Sequence, residues 1–189
     1  MLAGLFFMAL QPYRVGLETS KGPVVIEVHP EWAPRAAERF RTLVVAGYFD
    51  DARFFRVVQG RWAQFGINGD PAVAKKWRGL PFPDEDPAVK KQPNLRGTVA
   101  FAFAVPGGRT TQVFINLADN HSLDAQGFAP FGRVAAGMDA VDKLYAGYGE
   151  ASGGGIRGGK QQPMFDGGNR WLDEHFPLLD RILRAQIVR

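Results

Sequence analysis

The chain has 189 residues, a net charge of +4, 46% hydrophobic and 22% charged side chains, and no cysteine. That length suits one domain burying roughly 70% of its unfolded surface, and the composition excludes a wholly disordered chain. Without cysteine there is no disulfide, thiolate or zinc-finger chemistry, and Lys and Arg are scattered rather than arranged in an aromatic-interleaved basic stripe, so no nucleic-acid partner is expected.

Residues 1–10, MLAGLFFMAL, are apolar or Gly throughout, but far short of the roughly 20 residues a membrane span needs. Two readings stand. The segment is the apolar region of a secretory signal lacking its basic start and a clear cleavage site, in which case the protein is exported or periplasmic; otherwise it is an arm packed on the domain of a cytoplasmic protein. On the first reading residues 1–12 stand apart from a domain at 13–189. Deleting them should then leave melting temperature and activity nearly unchanged, whereas loss of a packed arm would remove roughly 1.5–3 kcal/mol per buried side chain.

Residues 13–19 and 23–28 read as strands joined by a turn at Ser20-Lys21-Gly22. From Pro34 the apolar residues Ala37, Phe40 and Val44 recur at helical spacing, with Gly47 suited to the end of that helix. Short apolar segments at 54–58, 63–65, 98–103, 113–116 and 130–135, bounded by Gly, Pro, Asn and Asp, read as further strands of a sheet or barrel. Between them, 66–96 is a long polar stretch punctuated by prolines and expected to be a loop. Met138, Val141, Leu144 and Tyr145 mark a second helix. A Gly-rich extension at about 147–168 leads into a short helix at 169–176 and a closing strand at 179–188.

Arg56 lies in a strand-like run and is followed eight positions later by the amide of Gln64. A lone strand arginine is ordinarily a surface ion pair of little consequence, but its companions here are unusual. In 98–104 the small side chains Ala102 and Ala104 share one strand face, leaving room for a peptide backbone; in 110–115 Gln112 and Phe114 share another, an amide beside an aromatic floor. Such a mixture suits a compact apolar group flanked by polar atoms.

Residues 54–66 resemble the F-H-R-x-x-x-G-x-x-x-Q-G-G signature of the cyclophilin-type peptidyl-prolyl isomerases, and residues 101–115 are similar to a second block of the same family. The resemblance implies a mainly β fold, a closed eight-stranded antiparallel barrel capped by two helices. It implies an enzyme that rotates X-Pro bonds in protein and peptide clients as a monomer, with no cofactor or metal. Arg56 takes the catalytic position. Gln64, Ala102, Gln112, Phe114 and Leu123 take pocket positions, joined by Trp62, Phe103, Ala104 and Phe128. The rival reading is a non-catalytic proline-peptide-binding or chaperone module using the same groove.

Departures from the family pattern shape further expectations. Phe55 replaces the His before the Arg, Arg61 a pocket aromatic, Trp62 a Met, Phe103 an Asn, and Phe128 a His. Ser122 stands where many eukaryotic members have Trp, so a cyclosporin-type ligand is expected to bind weakly. Other motifs are set aside. The run at 154–160 nearly forms a phosphate-binding loop, but Gln161 replaces the required Ser/Thr and Pro163 argues against a following helix. His29, His121 and His175 lack ligand-like spacing.

Overall fold

In the computed structural model, residues 11–153 and 160–189 are described; the apolar run at 1–10 and residues 154–159 of the phosphate-loop-like run lie outside them. Two seven-residue strands, β1 (Tyr13–Thr19) and β2 (Gly22–Val28), form the first hairpin, turned by Gly22 at φ 123°. Helix α1 (Pro34–Val45) follows, with Pro34 in its first turn and Gly47 at φ 65° just past its end. Then come β3 (Arg56–Val58), β4 (Trp62–Phe65), α2 (Pro71–Arg78), β5 (Thr98–Phe101), β6 (Val113–Asn116), β7 (Pro130–Ala136), α3 (Met138–Asp142), α4 (Gln162–His175) and β8 (Ile182–Val188). The eight strands make one sheet in the order β3-β4-β6-β5-β7-β2-β1-β8, every neighbouring pair antiparallel. The sheet curls around Phe40, Phe49, Phe65, Phe101 and Phe131, all fully buried, whose rings meet at centroid distances of 4.9–5.5 Å. Those are the spacings at which tilted and edge-on aromatic pairs attract.

The sheet is an open half-barrel, not the closed barrel expected. Among the described residues only the bridge Arg53↔Arg181 spans its two edges, flanked by hydrogen bonds from Phe54 N to Asp180 O and from Ile182 N to Ala52 O, each 2.8 Å. The ladder stops there because β3 is three residues long, and farther along β8 the Ala185 N–H is taken by the Asp50 side chain at 2.9 Å. An edge donor satisfied in this way has no need of a strand beside it.

Four α-helices are found among the described residues, one more than the three the sequence marks, together with a 3-10 turn at His121–Leu123. Helix α2 lies inside the stretch expected to be a loop: Asp70 caps it through a 2.8 Å bond from Ala72 N, Pro71 opens it and Gly79 closes it. Helix α4 begins seven residues before the expected short helix and kinks at Gly168 (φ 59°). Pro163 sits in its first turn, where a proline loses no helical bond, so the expectation that it blocks a helix is reversed. Phe55, Ile67, Ala74, Met164, Phe165 and Leu172 form a second core where these two helices meet the sheet edge. No helix among the described residues is long and apolar enough to cross a membrane.

Helix α1 has no side-chain cap of its own; instead Glu85, 8% exposed, accepts from Ala36 N at 2.8 Å and Arg35 N at 3.2 Å. Burial pushes the Glu85 carboxyl above its ordinary value, outweighing those bonds. A carboxyl raised on folding favours the folded state most below its unfolded pKa, and that contribution is lost as pH rises through the folded value. Glu85→Gln should therefore gain stability relative to wild type as pH is raised from about 4 to about 7 in denaturation titrations. A constant difference across that range would contradict the burial effect.

Candidate active site

Register brings the predicted residues together. Arg56 on β3 pairs with Gln64 on β4, Gln64 with Phe114 on β6, and Phe114 with Ala100 on β5, so four neighbouring strands present one row. That row lies along a cleft of about 370 Å³, within the range of small-ligand pockets. Ala102, Phe103 and Ala104 follow β5 rather than continuing it, yet all three line the cleft, and the Ala102 N–H still bonds Gln112 O at 2.9 Å. Leu123, from the 3-10 turn, and Phe128, before β7, complete the apolar side.

The floor is aromatic. Phe114, 4% exposed, meets Trp62 at 6.5 Å and Phe128 at 5.7 Å, both edge-on, and Phe128 meets Phe103 at 4.4 Å. Phe103 is held from its other face by the buried Arg109 guanidinium, 4.0 Å from the ring centroid and paired with Asp84 and Gly127 O. Arg61, expected in the pocket, does not line the cleft. It is exposed and stands 5.0 Å from the Trp62 ring, so it does not reduce the apolar floor.

Leu123 and Phe128 depend on Asp124, which accepts from Asn94 N and Nδ2, both at 2.8 Å, while the same Nδ2 donates to Phe128 O at 2.9 Å. Burial works to raise the Asp124 carboxyl, but the Asn94 donors and His121 together hold it below the ordinary carboxylate value. A depressed carboxyl contributes stability above its unfolded pKa that is lost as pH falls through the folded value. This pocket loop should accordingly loosen only in acid below about pH 4, a change that Phe128 resonances in NMR would report.

The polar wall is a series of amides. Arg56 Nη1 donates to Gln64 Oε1 at 3.0 Å, Gln64 Nε2 to Gln112 Oε1 at 2.7 Å, and Gln112 Nε2 to Gln161 Oε1 at 2.8 Å. Gln64 and Gln112 are 4% and 6% exposed, so these bonds satisfy groups that would otherwise be costly to bury. The Arg56 Nε and Nη2 donate to Glu150 Oε2 and Oε1 at 2.8 and 2.7 Å. The sequence reading missed Gln161 and Glu150, as well as the cleft residues Val105, Gly108, Thr110 and Gln126. No local pattern marks the first two: Gln161 meets Gln112 across 49 positions and Glu150 meets Arg56 across 94.

With this geometry in view, residues 14–163 match the family model described as cyclophilin type peptidyl-prolyl cis-trans isomerase/CLD. A peptidyl-prolyl cis-trans isomerase of Acinetobacter baylyi is 34% identical over 151 residues, covering 76% of this chain and 79% of the relative. One from Arabidopsis thaliana is 34% identical over 134 residues, covering 70% and 80%. Among solved structures, a Cryptosporidium parvum cyclophilin type isomerase superposes with a TM-score of 0.66 at 20% identity, covering 95% of this chain and 99% of that one. The same parasite protein, solved in the presence of the dipeptide Ala-Pro, gives 0.64 at 21% identity, covering 93% and 99%.

Proposed function

Because the chain belongs to the family of cyclophilin-type peptidyl-prolyl cis-trans isomerases, we propose that Arg56 is the catalytic residue with which it rotates X-Pro bonds. The chain is an isomerase of proline-containing polypeptides, and its task is a barrier of ~20 kcal/mol set by amide resonance. No covalent step is needed. As the C–N bond twists, the prolyl nitrogen becomes pyramidal and basic, and a donor that meets it there stabilises the twisted state over either planar one.

Arg56 supplies that donor. Its bonds to Gln64 and Glu150 leave one N–H on each terminal nitrogen available to a substrate. Phe114, Leu123 and Phe128 enclose the proline ring, with Trp62 at the edge nearest Arg56. Ala102, Phe103 and Ala104 lie along the peptide backbone, and Gln112 donates to a flanking carbonyl. The observation that carries this reading is the guanidinium set at the end of a hydrogen-bonded amide series beside an apolar floor. The experiment is the isomerisation rate of a short X-Pro peptide with and without the purified protein. Acceleration supports the reading, and peptide binding without acceleration would favour the non-catalytic module.

We also propose weak binding of cyclosporin-type ligands. Ser122 is exposed on the 3-10 turn and lacks the ring area and indole N–H that a tryptophan would bring. Calorimetry should show Ser122→Trp binding more tightly than wild type, and tight binding by wild type would refute the placement of Ser122.

A further inference from the structure

The segment that leaves α3 crosses directly over the strand that carries Arg56. Ser152 Oγ donates to Phe55 O at 2.7 Å, and a Cβ on Gly153 would lie 2.4 Å from Cδ2 of the Phe55 ring, so the chain passes at a distance that only glycine permits. Gln161 is 3% exposed. It accepts from Gln112 and donates to Gly153 O at 3.0 Å, tying the far end of the segment to the amide series. Two residues before Ser152, Glu150 meets the Arg56 fork with both oxygens, the paired geometry that fixes a guanidinium in its plane.

Exposed ion pairs usually contribute little, because ordering two long side chains offsets the attraction. Here most of that ordering is already done. The Arg56 side chain is 22% exposed, its Cζ lies 4.8 Å from the Trp62 ring centroid, and its remaining bond runs to buried Gln64. Glu150 removes the last freedom, rotation of the fork about its own axis. It is not among the residues lining the cleft.

We infer that Glu150 is a positioning residue for isomerisation, holding the Arg56 guanidinium so that its remaining N–H groups stay directed at the twisting X-Pro nitrogen. The inference rests on the reading of Arg56 as catalytic. Its physical content is preorganisation: a donor held in place meets the transition state without first having to be ordered, and displacing a reacting group by ~1 Å costs as much as 100-fold in rate.

The test measures kcat and KM separately for an X-Pro peptide by NMR exchange, with melting temperatures alongside. Glu150→Ala should lower kcat about tenfold or more with KM and melting temperature little changed. Glu150→Gln, which can accept only one of the two N–H groups, should fall between that variant and wild type. In an Arg56→Ala background, Glu150→Ala should have no further effect. If Arg56→Ala keeps the wild-type rate, the assignment of Arg56 fails. If Arg56→Ala is slow but Glu150→Ala is as fast as wild type, the positioning role alone fails. A faster Glu150→Ala overturns it as well, because the carboxylate would then be restraining the arginine's charge. A lower melting temperature with unchanged kcat would reduce Glu150 to a structural ion pair.

Discussion

Arg56→Ala is expected to slow X-Pro isomerisation about 100-fold, the usual effect of removing one preorganised transition-state donor, which corresponds to roughly 2.7 kcal/mol of barrier. The chain should remain folded. Loss of the guanidinium returns Glu150, half exposed, to solvent, and the one buried group left without its partner is Gln64 Oε1. An orphaned buried acceptor costs about 1–3 kcal/mol, and a domain of this length loses about 2–4 °C of melting temperature per kcal/mol. A modest drop in melting temperature with a large loss of rate is therefore the signature of a catalytic arginine. Arg56→Lys sharpens the point, because an ammonium keeps the charge but not the planar fork that bonds Gln64 and Glu150 together. If lysine restored the full rate, charge alone would suffice and the fork geometry would be irrelevant. Equal rates for Arg56→Ala and wild type would remove Arg56 from the mechanism altogether.

Much of the site is legible in the sequence because it lies on strands, whose period of two fixes which residues share a face. The bounds expected for β1 and β6 match those observed, and the adjacency of Gln112 and Phe114 follows from the same rule. What escapes a sequence reading is set by contacts distant along the chain. Helix α2 does carry local signals, an Asp-Pro start and a glycine stop, but the prolines clustered after it give the whole stretch the look of a loop. Helix α4 is longer than expected for a related reason: Pro163 suggests a breaker, yet it stands in the first turn, where the missing N–H has no partner to lose. Barrel closure depends on how far β3 extends. That is decided by Arg53, whose guanidinium turns to Asp51 and to Asp173 on α4, and by Asp50 capping the edge of β8. Glu150 and Gln161 belong to the same class: a glycine-rich run states that the chain bends, not where it returns.

Gly66→Ala is expected to lower the melting temperature by about 10 °C or more and to reduce isomerisation with it, because this glycine couples the core to the amide wall. Gly66 follows β4 at φ 104°, and a Cβ there would lie 2.3 Å from Thr111 O and 2.9 Å from Gln112 Cα. Both are backbone atoms, so no side chain can swing aside. The approach is held by Thr111 Oγ1, which donates to Gly66 O at 2.7 Å, and by buried Tyr48, whose hydroxyl lies within hydrogen-bond distance of both groups. An alanine must push residues 111–112 away from β4, and Gln112 moves with them, breaking its bonds to Gln64 and Gln161. Gly60, in the β3–β4 turn at φ 69°, supplies the comparison, since a methyl added there would meet no atom within 4 Å. Gly60→Ala bears only the strain of the left-handed backbone, about 1–2 kcal/mol, and should shift the melting temperature by only a few degrees with the peptide rate unchanged. Equal melting temperatures for the two variants would mean that the contact between Gly66 and Thr111 yields easily, and that Gln112 is held by its amide partners and not by the packing behind it.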